Sequence, residues 1–164
     1  MSKALLDHGG RISPAGIERY LHEHIPLSRA MQVSVVEIGP DTAALAAPLA
    51  PNVNQWQTVF GGSAAALAIL AGWTLLYTRL LDAGIQCRLV VQRSTMEYRW
   101  PIAGDFAARA TQTDATDWNR FRRQIERGHR ARITVEAVVE HHGLAAACFV
   151  CEYVAQPTTD TRGK

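Results

Sequence analysis

The stretch Val59–Thr78, VFGGSAAALAILAGWTLLYT, decides the fold. It carries no charge over a length that could cross a bilayer. A helix apolar on every side is either a membrane span or the centre of a domain core. Three features favour the core. The stretch opens on Gly61-Gly62-Ser63, it is rich in alanine, which contributes little transfer energy, and Arg79 and Asp82 follow closely. A buried central helix is therefore predicted over about 61–83, ending near Gly84, with the rest of the chain arranged around it.

Upstream, Ser13 followed by Pro14 reads as a helix start, a capping hydroxyl with proline at the first helical position. This helix is expected to run to about His24, where Pro26 stops it. Residues 31–38 and 42–48 read as strands separated by the turn Gly39-Pro40-Asp41. A loop, Ala50-Pro51-Asn52-Val53-Asn54-Gln55, leads to the central helix. Downstream, residues 86–100 and 106–113 read as strands, with a turn over 101–105. The cleanest alternation is 132–140, where Ile133, Val135, Ala137 and Val139 share one face. His141-His142-Gly143 turns the chain, and 144–154 returns as a strand apolar on both faces. Such a strand, left at a sheet edge, invites pairing with a second chain. Consecutive strands favour an antiparallel sheet with the helix against one face, an α+β architecture.

The length of 164 residues suits one domain, expected over 1–156, with a disordered tail over 157–164. With 48% apolar and 20% charged residues the composition is ordinary for a globular chain. A net charge of +2 gives no reason to expect nucleic acid. Three cysteines do not make a disulfide framework, which points to a reducing compartment. The segment MSKALLDHGGRISP lacks the apolar core of a secretion signal. A soluble, cytoplasmic protein is expected.

The segments Ile25-Pro26-Leu27, Ala47-Pro48-Leu49-Ala50-Pro51-Asn52-Val53-Asn54, Thr58-Val59-Phe60-Gly61-Gly62-Ser63 and Met96-Glu97-Tyr98-Arg99-Trp100-Pro101 together resemble a bacterial family of putative thioesterases. In some members this domain follows an acetyltransferase domain. The resemblance covers about residues 20–155, and the run Ala47–Ser63 is its most specific part. It implies the hotdog fold, a curved antiparallel sheet wrapped around a long central helix and dimerised through the sheet. It also implies hydrolysis of an acyl-CoA or acyl-carrier-protein thioester; no cofactor and no nucleic acid are expected, and the exposed strand edge predicts a homodimer or tetramer. More distantly, the chain is similar to phenylacetyl-CoA-type hotdog thioesterases.

The loop-to-helix junction suits that chemistry. Thioester hydrolysis passes through a tetrahedral intermediate whose carbonyl oxygen becomes negative, and a helix start offers unpaired N–H donors at the positive end of its dipole. Gly61 and Gly62 lack side chains, so a carbonyl can come close to those donors. Paired glycines also let a helix pack tightly on a sheet. Asn54 lies six residues before Phe60, the interval at which the phenylacetyl-CoA-type enzymes carry an asparagine before His-Gly-Gly. The resemblance gives Asn54 the task of orienting the water or the thioester. The same residue type also braces loops of this kind, the reading given to Asn52. Ser63 either assists, serves as a nucleophile, or caps the first turn. Thr58, Phe60, Ser94 and Tyr98 are expected at the substrate, the last two on one face of a strand.

Two departures stand out. Phe60 occupies the place of the histidine, and Ile69 the place of the catalytic acid in those relatives. No carboxylate occurs between Gly61 and Leu81. Asparagine cannot take a proton from water, so no general base stands in that position. A second class of function follows, an acyl-thioester-binding sensor or carrier without catalysis. A dehydratase or hydratase would need an Asp/His pair that is not found near the glycines.

The densest positive charge, Asn119–Arg127 continuing through Arg130 and Arg132, reads as a short helix or long loop. Arg120, Arg122 and Arg123 either form a solvated face or hold the phosphates of coenzyme A or of a carrier's prosthetic arm. No metal is expected. Cys148 and Cys151 are three apart in a strand and point to opposite faces. His22 and His24 do not share a helix face, and His141-His142 are read as a solvated turn.

Overall fold

The computed structural model describes Leu5, residues 12–112 and residues 114–158. Among these residues four α-helices and six strands follow in the order α1 (Pro14–His24), α2 (Pro26–Ala30), β1 (Ser34–Ile38), β2 (Thr42–Ala47), α3 (Gly61–Asp82), β3 (Cys87–Tyr98), β4 (Phe106–Thr111), α4 (Ala115–Glu126), β5 (Ala131–His141) and β6 (Leu144–Pro157), with a short 3-10 turn at Ala50–Asn52. The strands form one antiparallel sheet in the order β1-β2-β4-β5-β6-β3. The sheet curves around α3. This is the hotdog fold implied by the sequence.

Local chemistry sets the helix limits. Ser13 Oγ accepts from Gly16 N at 3.0 Å and Pro14 follows at the first helical position. Pro26 stops α1 but also starts α2, because its missing N–H and fixed φ suit a first helical residue. The short α2 closes with Val33 N on Ser28 O at 2.9 Å, so β1 begins at Ser34 rather than at residue 31. At the far end of α3, Gly84 takes φ +70. Its N–H reaches Leu81 O, and Ile85 N reaches Leu80 O at 2.9 Å, the paired bonds of a left-handed glycine cap.

The long apolar helix is a core element. It is the one described helix long and apolar enough to cross a membrane, with 61% of its most apolar window buried. Leu67, Ala68, Ala71, Leu75 and Leu76 have no exposed surface. They pack on Leu45, Ala108, Val135, Val139 and Phe149 from the sheet. Each fully buried leucine contributes about 1.5–3 kcal/mol relative to exposure. Ala66, Ile69, Trp73 and Tyr77 form a half-buried stripe on the opposite side, packed against the core margin.

The region 119–126 is helical, the first of the two readings, and Arg127 is its C-cap. It belongs to α4, which starts at Asp114, whose Oδ1 accepts from Thr116 N at 2.8 Å and Asp117 N at 3.1 Å. Phe121 and Ile125, four apart, turn inward and are buried. Strand 144–154 differs from expectation. It extends to Pro157 and lies between β5 and β3, so both its edges are paired within the chain, while Val150 on its outer face stays exposed. The open edges are β1 and β3, and β3 is exposed along most of its length. His142 (φ 49) and Gly143 (φ 76) make the tight left-handed turn between β5 and β6. Of the expected tail, Pro157 ends β6, and residues 159–164 lie outside the described residues.

Candidate active site at the head of the central helix

The N-cap of α3 is Phe60, which has no side-chain oxygen to cap the helix. Ser63 N and Ala64 N reach back to Phe60 O at 2.9 and 3.1 Å. Gly61 N and Gly62 N donate to no acceptor among the described residues. Two N–H groups thus point out of the positive end of a 22-residue helix. The rest of the junction is held firmly. Phe60 N donates to Asn52 O at 2.7 Å, and Val59 N to Ile102 O at 2.8 Å.

The Tyr98 hydroxyl donates to Gly61 O at 2.8 Å, and its ring covers the α-carbon of Gly61. The Phe60 ring lies over Gly62, in the place a side chain there would occupy. Beside this turn runs a groove of about 340 Å³ lined by Val59, Gly61, Ala64, Tyr98, Trp100 and Ile102, among others. Trp100 and Pro101 lead on into a second hollow of about 250 Å³ that includes Leu144 and His141. Trp56, Phe60, Tyr98 and Trp100 are all more than half exposed around this end of the molecule. Neither hollow has an aspartate or glutamate in its described lining.

Asn54 sits one turn back along the loop with its side chain engaged locally. Its Oδ1 accepts from Trp56 N at 2.8 Å and Thr58 N at 3.2 Å. Its Nδ2 donates to Thr58 Oγ1 at 2.9 Å and, more loosely, to Val59 O at 3.4 Å. Asn52 is buried and donates from Nδ2 to Met31 O and Pro48 O, the structural role expected of it.

The structure brings Asn54, Thr58, Phe60, Gly61, Gly62, Ser63 and Tyr98 to one end of α3. Ser94 shares the helix-facing side of β3 with Tyr98, opposite Cys151, but does not line the groove. Arg120, Arg122 and Arg123 are elsewhere. Their helix packs near the other end of α3, where Arg79 stacks over the Trp118 ring at 4.0 Å. Gly61 and Arg79 are separated by about 27 Å of helix, at 1.5 Å per residue. Arg120 pairs with Asp117 at 2.6 Å and Arg122 with Glu126 at 3.6 Å. Within one chain these arginines do not meet the glycines.

Ile69 is half-buried, and its carbonyl accepts from the Tyr153 hydroxyl at 2.7 Å. Cys151 is buried and Cys148 partly exposed, on opposite faces of β6 as alternation requires. His22 Nε2 lies 2.8 Å from Val33 O, whereas His24 Nδ1 lies 2.9 Å from Tyr20 O, so the two rings serve separate contacts. His141 is not simply solvated. Its Nδ1 lies 2.7 Å from Asp105 O, which only accepts, so this nitrogen carries the proton of the bond. Its pairing with Asp105 joins residues far apart in sequence, and no local signal announces it.

A model of the family described as putative thioesterase (yiiD_Cterm) matches residues 15–157. The chain belongs to that family. Among solved structures, it is similar to a protein of unknown function from Chlorobaculum tepidum, with 28% identity, a TM-score of 0.81 and coverage of 89% of this chain and 98% of that one. It is also similar to a putative thioesterase from Shewanella oneidensis, at 24% identity and TM-score 0.77, covering 86% and 95% of the two chains. A probable thioesterase from Pseudomonas aeruginosa matches at 24% identity and TM-score 0.74, covering 90% and 98%. The latter two likenesses bear on the fold alone. Family membership supports thioester hydrolysis as the general activity.

Proposed function

We propose that this thioesterase-family chain hydrolyses an acyl-CoA or acyl-carrier-protein thioester at the Gly61–Gly62 turn. The observation carrying the reading is the pair of N–H groups without an acceptor at the head of a long helix, opening on an apolar groove. A thioester carbonyl oxygen at those donors gains negative charge as water adds to its carbon. Each donor aimed at that charge is worth about 2.7–4 kcal/mol in the transition state. Collapse of the intermediate breaks the C–S bond and releases the carboxylic acid and the thiol.

Asn54 positions the water on a narrow basis. Both lone-pair directions of Oδ1 are taken by backbone donors, so the contribution falls to the Nδ2 hydrogen with only a 3.4 Å bond. Thr58 and Phe60 form the lip of the site and Ser63 stands beside it, while Ser94 faces the same way about 13 Å further back along β3. The general base comes from a second copy of the chain, in a homodimer joined along β3. The support is that β3 is an exposed edge of 12 residues ending at Tyr98, beside a groove with no carboxylate in its described lining. One domain over residues 1–156, working in the cytoplasm, completes this reading.

A non-catalytic acyl-thioester binder is the second reading, favoured by Ile69, a half-buried aliphatic residue where the phenylacetyl-CoA-type enzymes that the chain distantly resembles carry an acid. A panel of acyl-CoAs, with released thiol and bound ester both measured, separates the two. Thiol release with turnover supports the enzyme. Tight binding of the intact ester without release overturns it.

A further inference from the structure

The bulge in β3 gathers arginines that the sequence scatters. Gln92 is the extra residue between Val91, paired with Tyr153, and Arg93, paired with Glu152. Its Oε1 accepts from Arg130 at 3.2 Å and from Arg132 Nε at 3.0 Å. One neutral acceptor therefore holds two guanidinium groups side by side. The register places Arg88 and Arg93 on the same outer face, since Val90 and Arg132 both pair with Val154, and Thr134 and Arg93 both with Glu152. All four arginines are exposed. The only carboxylate paired with any of them among the described residues is Glu152, 3.9 Å from Arg132. With β3 and β5 two strand spacings apart, about 10 Å, and Arg88 and Arg93 opposite Gln156 and Glu152, about 13 Å apart along β6, the patch measures roughly 10 by 13 Å.

We infer that Arg88, Arg93, Arg130 and Arg132 form an anion site for the phosphates of a nucleotide-bearing thioester, the adenosine bisphosphate end of coenzyme A. The inference rests on the thioester reading for its choice of ligand. Guanidinium forks bind phosphate oxygens in pairs, and here Gln92 fixes two forks before any ligand arrives. A cluster of like charges with one weak counter-ion is relieved by a multiply charged anion, whereas a single carboxylate leaves most of it unbalanced. The position fits the reaction. β3 carries Arg93 near its middle and Tyr98 at its end, about 17 Å apart at 3.3–3.4 Å per residue, and Tyr98 touches Gly61. Arg93 lies on the outer face and Tyr98 on the helix-facing one, so a flexible arm from the phosphates runs along the outer face and rounds the Tyr98 end of the strand to reach Gly61.

The test uses the full chain and calorimetric titration with adenosine 3′,5′-bisphosphate, coenzyme A, pantetheine and inorganic phosphate. Arg93→Glu with Arg132→Glu should weaken the bisphosphate and coenzyme A about tenfold or more and leave pantetheine unchanged. Wild-type affinity for both should fall with salt. Arg120→Glu with Arg123→Glu on α4 should change neither. Arg88→Gln with Arg93→Gln, milder and fully exposed, should give a smaller loss in the same direction if the reversal impairs folding. Binding of phosphate as tight as bisphosphate would make the site one for free phosphate and overturn the coenzyme assignment. So would unchanged affinity in both double variants, or a wild type that binds neither nucleotide. A protein that binds coenzyme A here but releases no thiol keeps this site and loses the hydrolase reading. One that hydrolyses esters while ignoring the nucleotide does the reverse.

Discussion

Tyr98 donates its hydroxyl hydrogen to the Gly61 carbonyl oxygen at 2.8 Å, tying the end of edge strand β3 to the first residue of the central helix. A Cβ on Gly61 would sit 3.3 Å from the tyrosine ring. The contact fixes the direction of the Gly61 and Gly62 N–H groups. Tyr98→Phe keeps the ring and removes the bond. With Tyr98 55% exposed, little stability is at stake. Turnover should fall by up to about tenfold, the scale of one hydrogen bond of 0.5–1.5 kcal/mol, with a small change in KM. An unchanged kcat would show that the bond does not orient the donors.

Asn54→Ala removes four hydrogen bonds that brace its loop, so a lower Tm is expected alongside a fall in kcat of about 10²-fold. Asn54→Asp separates the two effects. It keeps the acceptors for Trp56 N and Thr58 N but loses the amide donor. A melting point near wild type with low turnover supports the water-positioning role, and full turnover in Asn54→Asp excludes it.

Gly62→Val puts a branched side chain where the Phe60 ring now lies. The exposed ring can swing away, so the fold should survive with modest loss. The valine would then cover the free N–H groups. Thiol release should drop to background, measured by a chromogenic thiol assay. Retained turnover would move the oxyanion site elsewhere.

Tyr153 and Gly72 are closely packed in the core. The buried tyrosine reaches Ile69 O by passing over Gly72, and a Cβ there would collide with its hydroxyl. Gly72→Ala should destabilise by about 1–3 kcal/mol through overpacking. Combined with Tyr153→Phe, the loss should be smaller than the sum of the two single changes, read from denaturant midpoints. Strict additivity would mean the two do not press on each other.

Burial pushes the Cys151 thiol up from 9.0 to about 11, and burial also raises the Tyr153 hydroxyl. Both groups fold protonated. Below the thiol's ordinary value the folded and unfolded chains hold the same protons and this stability is intact. Between pH 9 and 11 the unfolded chain releases protons that the folded chain keeps, so stability should fall by about 2 kcal/mol from the thiol alone. Denaturation at several pH values should show that slope, shallower in Cys151→Ala. The same slope in both proteins would mean the thiol does not contribute.

The local elements were legible in the sequence because they follow from short-range chemistry. Ser13-Pro14 capped α1, the alternation of Ile133, Val135, Ala137 and Val139 marked β5, and His142-Gly143 made its turn. The uncharged run after Gly61 had to be a core helix once strands surrounded it. The segments around Asn54, Gly61 and Tyr98 were also sufficient to suggest the family.

What the sequence could not contain is which strand lies beside which. The apolar strand 144–157 could serve as an edge or a centre, and only the pairing order put β5 and β3 on its two sides, leaving β3 open. The arginines of α4 were dense in sequence yet came to rest near Arg79, far from the glycines, because Phe121 and Ile125 fix that helix to the core. Conversely, Arg88, Arg93, Arg130 and Arg132 are spread over two strands and converge only through the bulge at Gln92. Caps and alternation are properties of neighbours along the chain and are fixed by a few residues. Strand order and charge clusters are properties of neighbours in space, settled by burying the whole apolar surface at once.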